Sequence, residues 1–302
     1  MREPVTLPWS EVEGLARQPG TLTWATPRAR RVLGWPSARW IDSAAAVPEA
    51  QTVIAIGGGA HLDFVKLRWR GTGASRLVAV PTIWGSGAEA SPVAVWTEAG
   101  QKRFTVDEAL RPGAMAFFDG FAASLSSEQV RAACGDTWAH AIEGFLSPIA
   151  SDALRAELAE LIRQLLALPI APDARWFSLS ARAAAGQAES SVGLVHGLAH
   201  VLEPRVPGAG HASLCATVLA PVLKFNAASS DKWRSLTAQH GLDGAAILER
   251  VASLSTREAR QALAPHVLAH WKLVLRDPCT RTNSALVRPD SLGALLAQLE
   301  AP

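Results

Sequence analysis

The sequence predicts an α/β amino-terminal domain followed by an all-helical carboxy-terminal domain. The first domain is an open, mostly parallel sheet with a reduced edge. Between residues 21 and 125, short β-branched or apolar runs alternate with loops and helical patterns, as parallel strands joined by crossovers require. Beyond Ser126 the apolar spacing changes to that of long helices. Two glycine-rich loops fall directly behind two of the strand-like runs, where open parallel sheets bind their ligands.

In chain order, the strand candidates are Leu22–Trp24, Thr52–Ile56, Leu77–Val80 and Ala114–Phe118, with a helical pattern over His61–Trp69. The first sixty residues are sparse in such patterns and carry prolines, which is why the sheet edge is expected to be reduced. Ser126-Ser-Glu-Gln129 has the capping-box pattern, a hydroxyl at the cap and an amide three residues later. Helical patterns then cover 128–146, 151–168, 176–202 and 211–227, followed by Leu242–Val251, Thr256–Val274 and Ser291–Ala301. The expected domains are therefore 1–124 and 125–302, without internal repeats or low-complexity linkers.

With 302 residues and 49% apolar content, the chain can bury one large or two moderate cores. Its 29 basic and 27 acidic residues nearly balance, and no basic stripe with interleaved aromatics is present, so nucleic acid is not an expected partner. Cys134, Cys215 and Cys279 are widely spaced and odd in number, which reads as buried thiols in a reducing compartment and not as a disulfide frame. The segment Met1–Trp9 lacks a signal-peptide core, and no apolar run reaches the roughly 18–20 residues of a membrane span. A soluble, cytoplasmic protein with no membrane partner is expected.

The chemistry concentrates in two clusters. Asp136 and His140 stand four apart on a helical pattern and share a face, as do His196 and His200, and His211 follows after a Pro/Gly loop. Imidazoles with one carboxylate suit iron(II) or zinc and can leave a position open for substrate. Spacing alone selects His196 and His200 as the second ligand pair; a plain surface contact between Asp136 and His140 is the bland alternative. His61, His240, His266 and His270 lack such company and read as surface or satisfied core residues. Upstream, Gly57, Gly58 and Gly59 follow the run Thr52–Ile56, where backbone without a Cβ can approach a phosphate and the helix behind can offer free N–H groups. A simple strand-to-helix turn explains the same glycines, and the spacing is not G-x-G-x-x-G. The second loop, Val80–Ser91, supplies further glycines and hydroxyls.

Four segments together resemble the iron-containing (group III) alcohol dehydrogenases, of the dehydroquinate-synthase-like fold. They are Gly57-Gly-Gly-Ala-His-Leu-Asp63-Phe-Val-Lys66, Pro81-Thr-Ile-Trp-Gly-Ser-Gly-Ala-Glu89-Ala-Ser91, Gly135-Asp136-Thr-Trp-Ala-His140-Ala-Ile-Glu143 and Gly193-Leu-Val-His196-Gly-Leu-Ala-His200. The resemblance spans residues 50–230. It implies that Asp136, His140, His196 and His211 hold Fe2+ or Zn2+, and that His200 stands near the nicotinamide as a catalytic residue, so that His211 replaces His200 in the ligand set. It places the pyrophosphate of NAD or NADP at Gly57–Gly59 with Asp63, matches Thr82 and Ser86 to cofactor contacts and Lys102 to the basic residue near the ribose, and implies a homodimer.

The chain departs from the family in having a shorter segment before Asp136, in Ile83 and Trp84 where small residues are usual, and in a divergent loop between His200 and His211. Val201 and Glu203 stand there for proline and glycine, and Gly210-His211-Ala212 stands for Pro-His-Gly. That loop carries Arg205, a candidate anchor for a carboxylate beside the metal. No carboxylate follows Leu22–Trp24, but Arg28, Arg30 and Arg31 do, which favours NADP over NAD.

The implied activity is metal-dependent hydride transfer between an alcohol and NAD(P) in an interdomain cleft, with a small alcohol or a peptide as substrate. Short members of the family also occur in daptide-type peptide natural-product biosynthesis, where oxidation of a carboxy-terminal threonine is coupled to decarboxylation. A lyase of the dehydroquinate-synthase type and a non-catalytic, partner-binding member of the family are the alternatives.

Overall fold

The computed structural model describes residues 4–35, 38–41, 49–99 and 101–301. Its strands are β1 (Val5–Thr6), β2 (Thr21–Ala25), β3 (Trp40–Ile41), β4 (Thr52–Gly57), β5 (Arg76–Pro81), β6 (Val93–Glu98), β7 (Gln101–Val106) and β8 (Ala114–Met115). Helices α1 (Trp9–Ala16), α2 (Pro27–Leu33), α3 (Gly59–Lys66) and α4 (Asp119–Ala123) lie among them. Then come α5 (Ser127–Leu146), α6 (Asp152–Ala167), α7 (Arg175–Ser190), α8 (Leu194–Leu202) and α9 (His211–Ala227). The chain closes with α10 (Asp231–Ala238), α11 (Gly244–Ala252), α12 (Arg257–Val274) and α13 (Ser291–Glu300).

Two compact units result. The first combines the described part of Met1–Ala99 with Arg103–Ser126 and Pro172–Ala185; the second combines Gly100–Lys102, Ser127–Ala171 and Gly186–Pro302. In the first, six strands form a sheet in the order β1-β8-β5-β4-β2-β3, parallel at every pairing. Strands β4 and β5 are buried on both faces: Val53 and Ala55 join one core with Leu22, Trp24, Leu62 and Leu77, and Ile54, Ile56, Val78 and Val80 are equally dry. Burial on both faces is why these strands read as continuous apolar runs and not as alternating ones. Register pairs Ile56 with Val80 and Gly57 with Pro81, so both glycine-rich loops leave the same end of adjacent strands.

The expected strands at 22–24, 52–56 and 77–80 are present within β2, β4 and β5, whereas Ala114–Phe118 is a strand only over Ala114–Met115. Two-residue β1 and β3, and the β6–β7 pair outside the main sheet, carry too short or too mixed a pattern to be read in advance.

The second unit is helical and built around α5, which is buried continuously from Ala133 to Leu146. Such a helix must satisfy every polar side chain within the protein, and Asp136, His140 and Glu143 recur along it at four- and three-residue steps, forming one polar stripe. Gly135 sits where α5 meets α9: a Cβ there would collide with the backbone and side chain of Ala216, so glycine sets the close approach of the two helices. The single helix expected over 176–202 is instead two. Ser191 takes a left-handed φ of 69°, and α8 restarts after Gly193. Among the described residues no single helix is long and apolar enough to cross a membrane.

Candidate metal centre and cofactor loops

The break before α8 is set by buried polar groups. The N–H of Leu194 donates to Asn283 Oδ1 at 3.1 Å, and that of Val195 to Glu143 Oε1 at 2.7 Å. Side chains from elsewhere in the unit thus cap a helix whose own cap position is glycine. Glu143 is used further: the His196 N–H donates to its Oε2 at 3.4 Å, and His196 Nδ1 donates to the same oxygen at 2.7 Å. That contact fixes the ring and leaves Nε2 aimed at Asp136 Oδ1, 3.5 Å away.

Asp136 Oδ1 and His196 Nε2 are both buried and without a hydrogen-bond partner. Their separation is too long for a good hydrogen bond, but it matches the spacing of two ligands on one tetrahedral ion with bonds of about 2.0–2.2 Å. His211 Nε2 lies 3.8 Å from the same carboxylate oxygen, and Cys215 Sγ lies 3.6 Å from His211 Nε2. One ligand atom from each of Asp136, His196, His211 and Cys215 falls within 4.8 Å of all the others. The His140 ring stacks on that of His196, with centroids 4.6 Å apart. His211, not His200, therefore shares the cluster with Asp136 and His196. Cys215 joins by being four residues past His211 on α9, a spacing visible in the sequence but not read there.

Asp136 and His196 each favour the other's charged form. Burial by itself would raise the Asp136 carboxyl, yet the imidazoles of His140, His196 and His211 hold it well below the usual carboxylate range. For His196, burial works to lower the pKa, but the carboxylates of Asp136 and Glu143 prevail and hold it at about 9. With Glu143 behind one nitrogen and Asp136 before the other, the ring is oriented as a metal-binding histidine needs to be.

His200 sits one ring further along, its centroid 5.4 Å from that of His211. Burial is the main cause of its lowered pKa. Glu203, at a divergent loop position, lies 3.7 Å from His211 Nδ1 and 3.0 Å from Lys102 Nζ. The loop thus gives His211 a carboxylate companion and engages Lys102, which the resemblance assigned to the ribose. Arg205 Nη1 donates to the Val201 carbonyl at 2.7 Å, tying this guanidinium back to its own helix end.

In the first unit, α3 begins at Gly59 with Gly58 as an N-cap that supplies no side-chain hydrogen bond. Its amino terminus therefore keeps the polarity that receives phosphate. A Cβ on Gly57 would strike His61, and one on Gly59 would strike Ser86, so these glycines also serve packing. Thr82 is buried, and its N–H donates to the Gly57 carbonyl at 3.0 Å, joining the two loops. Asp63 is occupied inside the unit: Lys66 Nζ donates to Oδ1 and the Val95 N–H to Oδ2, both at 3.1 Å. Of the three arginines read as favouring a 2′-phosphate, Arg28 donates to Ser124 and Arg30 to the carbonyls of Ala25 and Ile41. Arg31 is exposed.

Comparison with known proteins bears on the fold. The family described as iron-containing alcohol dehydrogenase matches residues 32–132. The solved iron-containing alcohol dehydrogenase from Thermococcus thioreducens aligns over 98% of this chain and 97% of its own, at 18% identity and a TM-score of 0.74. The Corynebacterium glutamicum enzyme covers 98% and 94%, at 21% identity and 0.76. Sulfoacetaldehyde reductase from Bifidobacterium kashiwanohense, solved in complex with NAD+, covers 99% and 98%, at 17% identity and 0.76. Aldehyde-alcohol dehydrogenase 2 of Entamoeba histolytica is 29% identical over 215 residues, 58% of this chain. That match spans about a quarter (24%) of the relative's own length. The chain has the fold of the iron-containing alcohol dehydrogenases throughout and resembles that family in sequence over residues 32–132.

Proposed function

We propose that the protein is a metal-dependent, nicotinamide-linked alcohol dehydrogenase, with Asp136, His140, His196 and His211 as the metal ligands. The observation that carries this reading is the facing pair of buried, unpartnered atoms, Asp136 Oδ1 and His196 Nε2, 3.5 Å apart among further imidazoles. Three nitrogens and one carboxylate suit Fe2+ or Zn2+. The uncapped start of α3 and the adjoining Val80–Ser91 loop suit a dinucleotide phosphate, and the NAD+ complex of the sulfoacetaldehyde reductase neighbour supports a nicotinamide cofactor. When bound, the ion supplies Lewis-acid polarisation of an alcohol or carbonyl oxygen, and the nicotinamide takes or gives the hydride.

The chain's own residues do the rest. Asp136 and Glu143 carry the negative charge that attracts the cation, the three imidazoles offer nitrogen lone pairs, and Glu143 keeps His196 Nε2 pointing at it. His200, held largely neutral by burial, takes the alcohol proton during oxidation and returns it during reduction. Arg205 anchors an acidic substrate through the guanidinium nitrogens not given to Val201, which makes a hydroxy acid or a peptide ending in threonine a better substrate than a neutral alcohol. NADP is preferred to NAD, with Arg31, exposed in the last turn of α2, as the cation available to a 2′-phosphate. Cytoplasmic location and a homodimer complete the proposal.

Elemental analysis combined with alcohol-dependent NAD(P)H formation tests it. About one divalent ion per chain and activity lost on chelation are expected; full activity in rigorously metal-free protein would defeat the reading. Titrating both cofactors decides the NADP preference. Arg205→Lys should weaken acidic substrates selectively, and equal losses for neutral alcohols would remove the anchoring role.

A further inference from the structure

His200 belongs to a second cluster. After α12 the chain enters a 3-10 turn at Cys279–Thr282, and Asp277 caps it: the Cys279 N–H donates to Asp277 Oδ1 at 2.9 Å. That bond orients the carboxylate so that Oδ2 faces His200 Nδ1 at 3.6 Å. Cys279 Sγ faces the same nitrogen at 3.7 Å. One ligand atom from each of the three residues lies within 4.8 Å of the other two. The turn can come this close to α8 because residue 197 is glycine, where a Cβ would collide with Thr280.

A carboxylate oxygen 3.6 Å from an imidazole nitrogen is outside good hydrogen-bonding range. It is, however, the separation a shared ion produces: tetrahedral bonds of about 2.0–2.3 Å to nitrogen, oxygen and sulfur set ligand-to-ligand edges of about 3.3–3.7 Å. One imidazole, one carboxylate and one thiolate also form a chemically consistent set. The thiolate favours zinc over iron(II), and three protein ligands leave a fourth position for water or an exogenous group. The Asp277 hydrogen bond to Cys279 preorganises two of the three donors, as outer hydrogen bonds do in metal sites.

We propose that His200, Asp277 and Cys279 form a second divalent-metal site, selective for zinc or a comparably thiophilic ion, next to the Asp136 centre. An ion there binds the Nδ1 of the imidazole assigned above to proton transfer, displacing the thiol proton of Cys279 to solvent. The two ions can occupy the protein together, because the second set uses none of the ligands of the first. Excess zinc then acts on turnover through His200 and not by displacing the first metal.

Titration of metal-free protein with cobalt(II), a spectroscopic substitute for zinc, tests the site. The expected result is two bound equivalents, with a near-ultraviolet sulfur-to-cobalt charge-transfer band. Cys279→Ser should abolish the band and the second equivalent while retaining the first, and Cys215→Ser should keep the band. Asp277→Asn, which preserves the cap on Cys279 but removes the charge, should weaken the second equivalent at least tenfold. A band that survives in Cys279→Ser, or a single equivalent taken up by both parent and Cys279→Ser proteins, overturns the proposal. In Asp136→Asn the thiolate band should persist while the other equivalent is lost, so the dehydrogenase reading can fail without the second site failing, and the reverse.

Discussion

Glu143 binds His196 from behind and holds the first turn of the helix that carries it. One carboxylate accepts from the His196 ring at 2.7 Å and from the Val195 N–H at 2.7 Å. Ring orientation and helix start are therefore a single structural fact. Glu143→Gln keeps the size but loses the charge, and should lower metal affinity about 10- to 100-fold. It should also cost about 1–3 kcal/mol of stability, since charged hydrogen bonds in a dry site are lost. Competition with a chelator and denaturant unfolding measure the two; unchanged metal affinity would show that Glu143 serves the helix alone.

The four donors that gather within 4.8 Å are Asp136, His196, His211 and Cys215, without His140, which is proposed as a ligand in place of Cys215, and single substitutions separate the two. His140→Ala should remove bound metal, whereas Cys215→Ser should retain about one equivalent, because Asp136, His140, His196 and His211 already complete a four-ligand set. Plasma emission spectrometry on both proteins decides the matter. Metal retained in His140→Ala and lost in Cys215→Ser would exchange the two assignments.

His200→Ala should keep the metal of the Asp136 centre and lose rate. The step affected is proton transfer, so the loss should be about 10²–10⁴-fold in turnover, with cofactor affinity little changed. If that first metal leaves with the imidazole, His200 is a ligand of the Asp136 centre.

A pH effect on stability should arise in the first unit. Burial pushes the Glu89 carboxyl from an ordinary 4.5 up to about 7, while Lys66 and its own N–H pull it down. Since the folded pKa is the higher one, the folded state favours the protonated form. Stability is whole below about pH 4.5 and falls as pH rises towards 7. Glu89→Gln removes that slope and should stabilise the protein at pH 8 by up to roughly 3 kcal/mol. Urea unfolding at pH 5 and pH 8 checks the sign; a Gln variant less stable at pH 8 than its parent would mean that Lys66 needs the Glu89 charge.

What the sequence disclosed depended on how locally each feature is encoded. Strands β2, β4 and β5 could be read because both their faces are buried, leaving uninterrupted apolar runs. The polar stripe of α5 was half read: Asp136 and His140 stood out as a four-residue pair, but Glu143 entered only as part of a motif, since its partner lies on another helix. The break between α7 and α8 is not legible in the apolar spacing, which continues across Ser191 and Gly193, and the groups that restart the chain as α8 come from Glu143 and Asn283. Cys279 reads in the sequence only as a buried thiol and Asp277 not at all, because their relation to His200 exists only after the chain has folded back across about eighty positions. Similarly, arginines in place of a carboxylate after β2 favour a 2′-phosphate, and only the structure shows Arg28 and Arg30 engaged by their own unit.

Trp84, the bulky residue of the second glycine-rich loop, stacks on Trp176 at 6.1 Å and meets Phe177 edge-on at 5.4 Å. Both partners lie in Pro172–Ala185, a stretch that belongs to the first unit although about fifty residues of the second precede it in the chain. On the ribosome, the sheet is therefore finished well before the helix that covers this loop has been made. A nascent chain halted near residue 126 would present Trp84 bare to water, and the first unit cannot complete itself in the order in which it is translated. Its final closure has to wait until α5 and α6 have emerged and α7 has followed them.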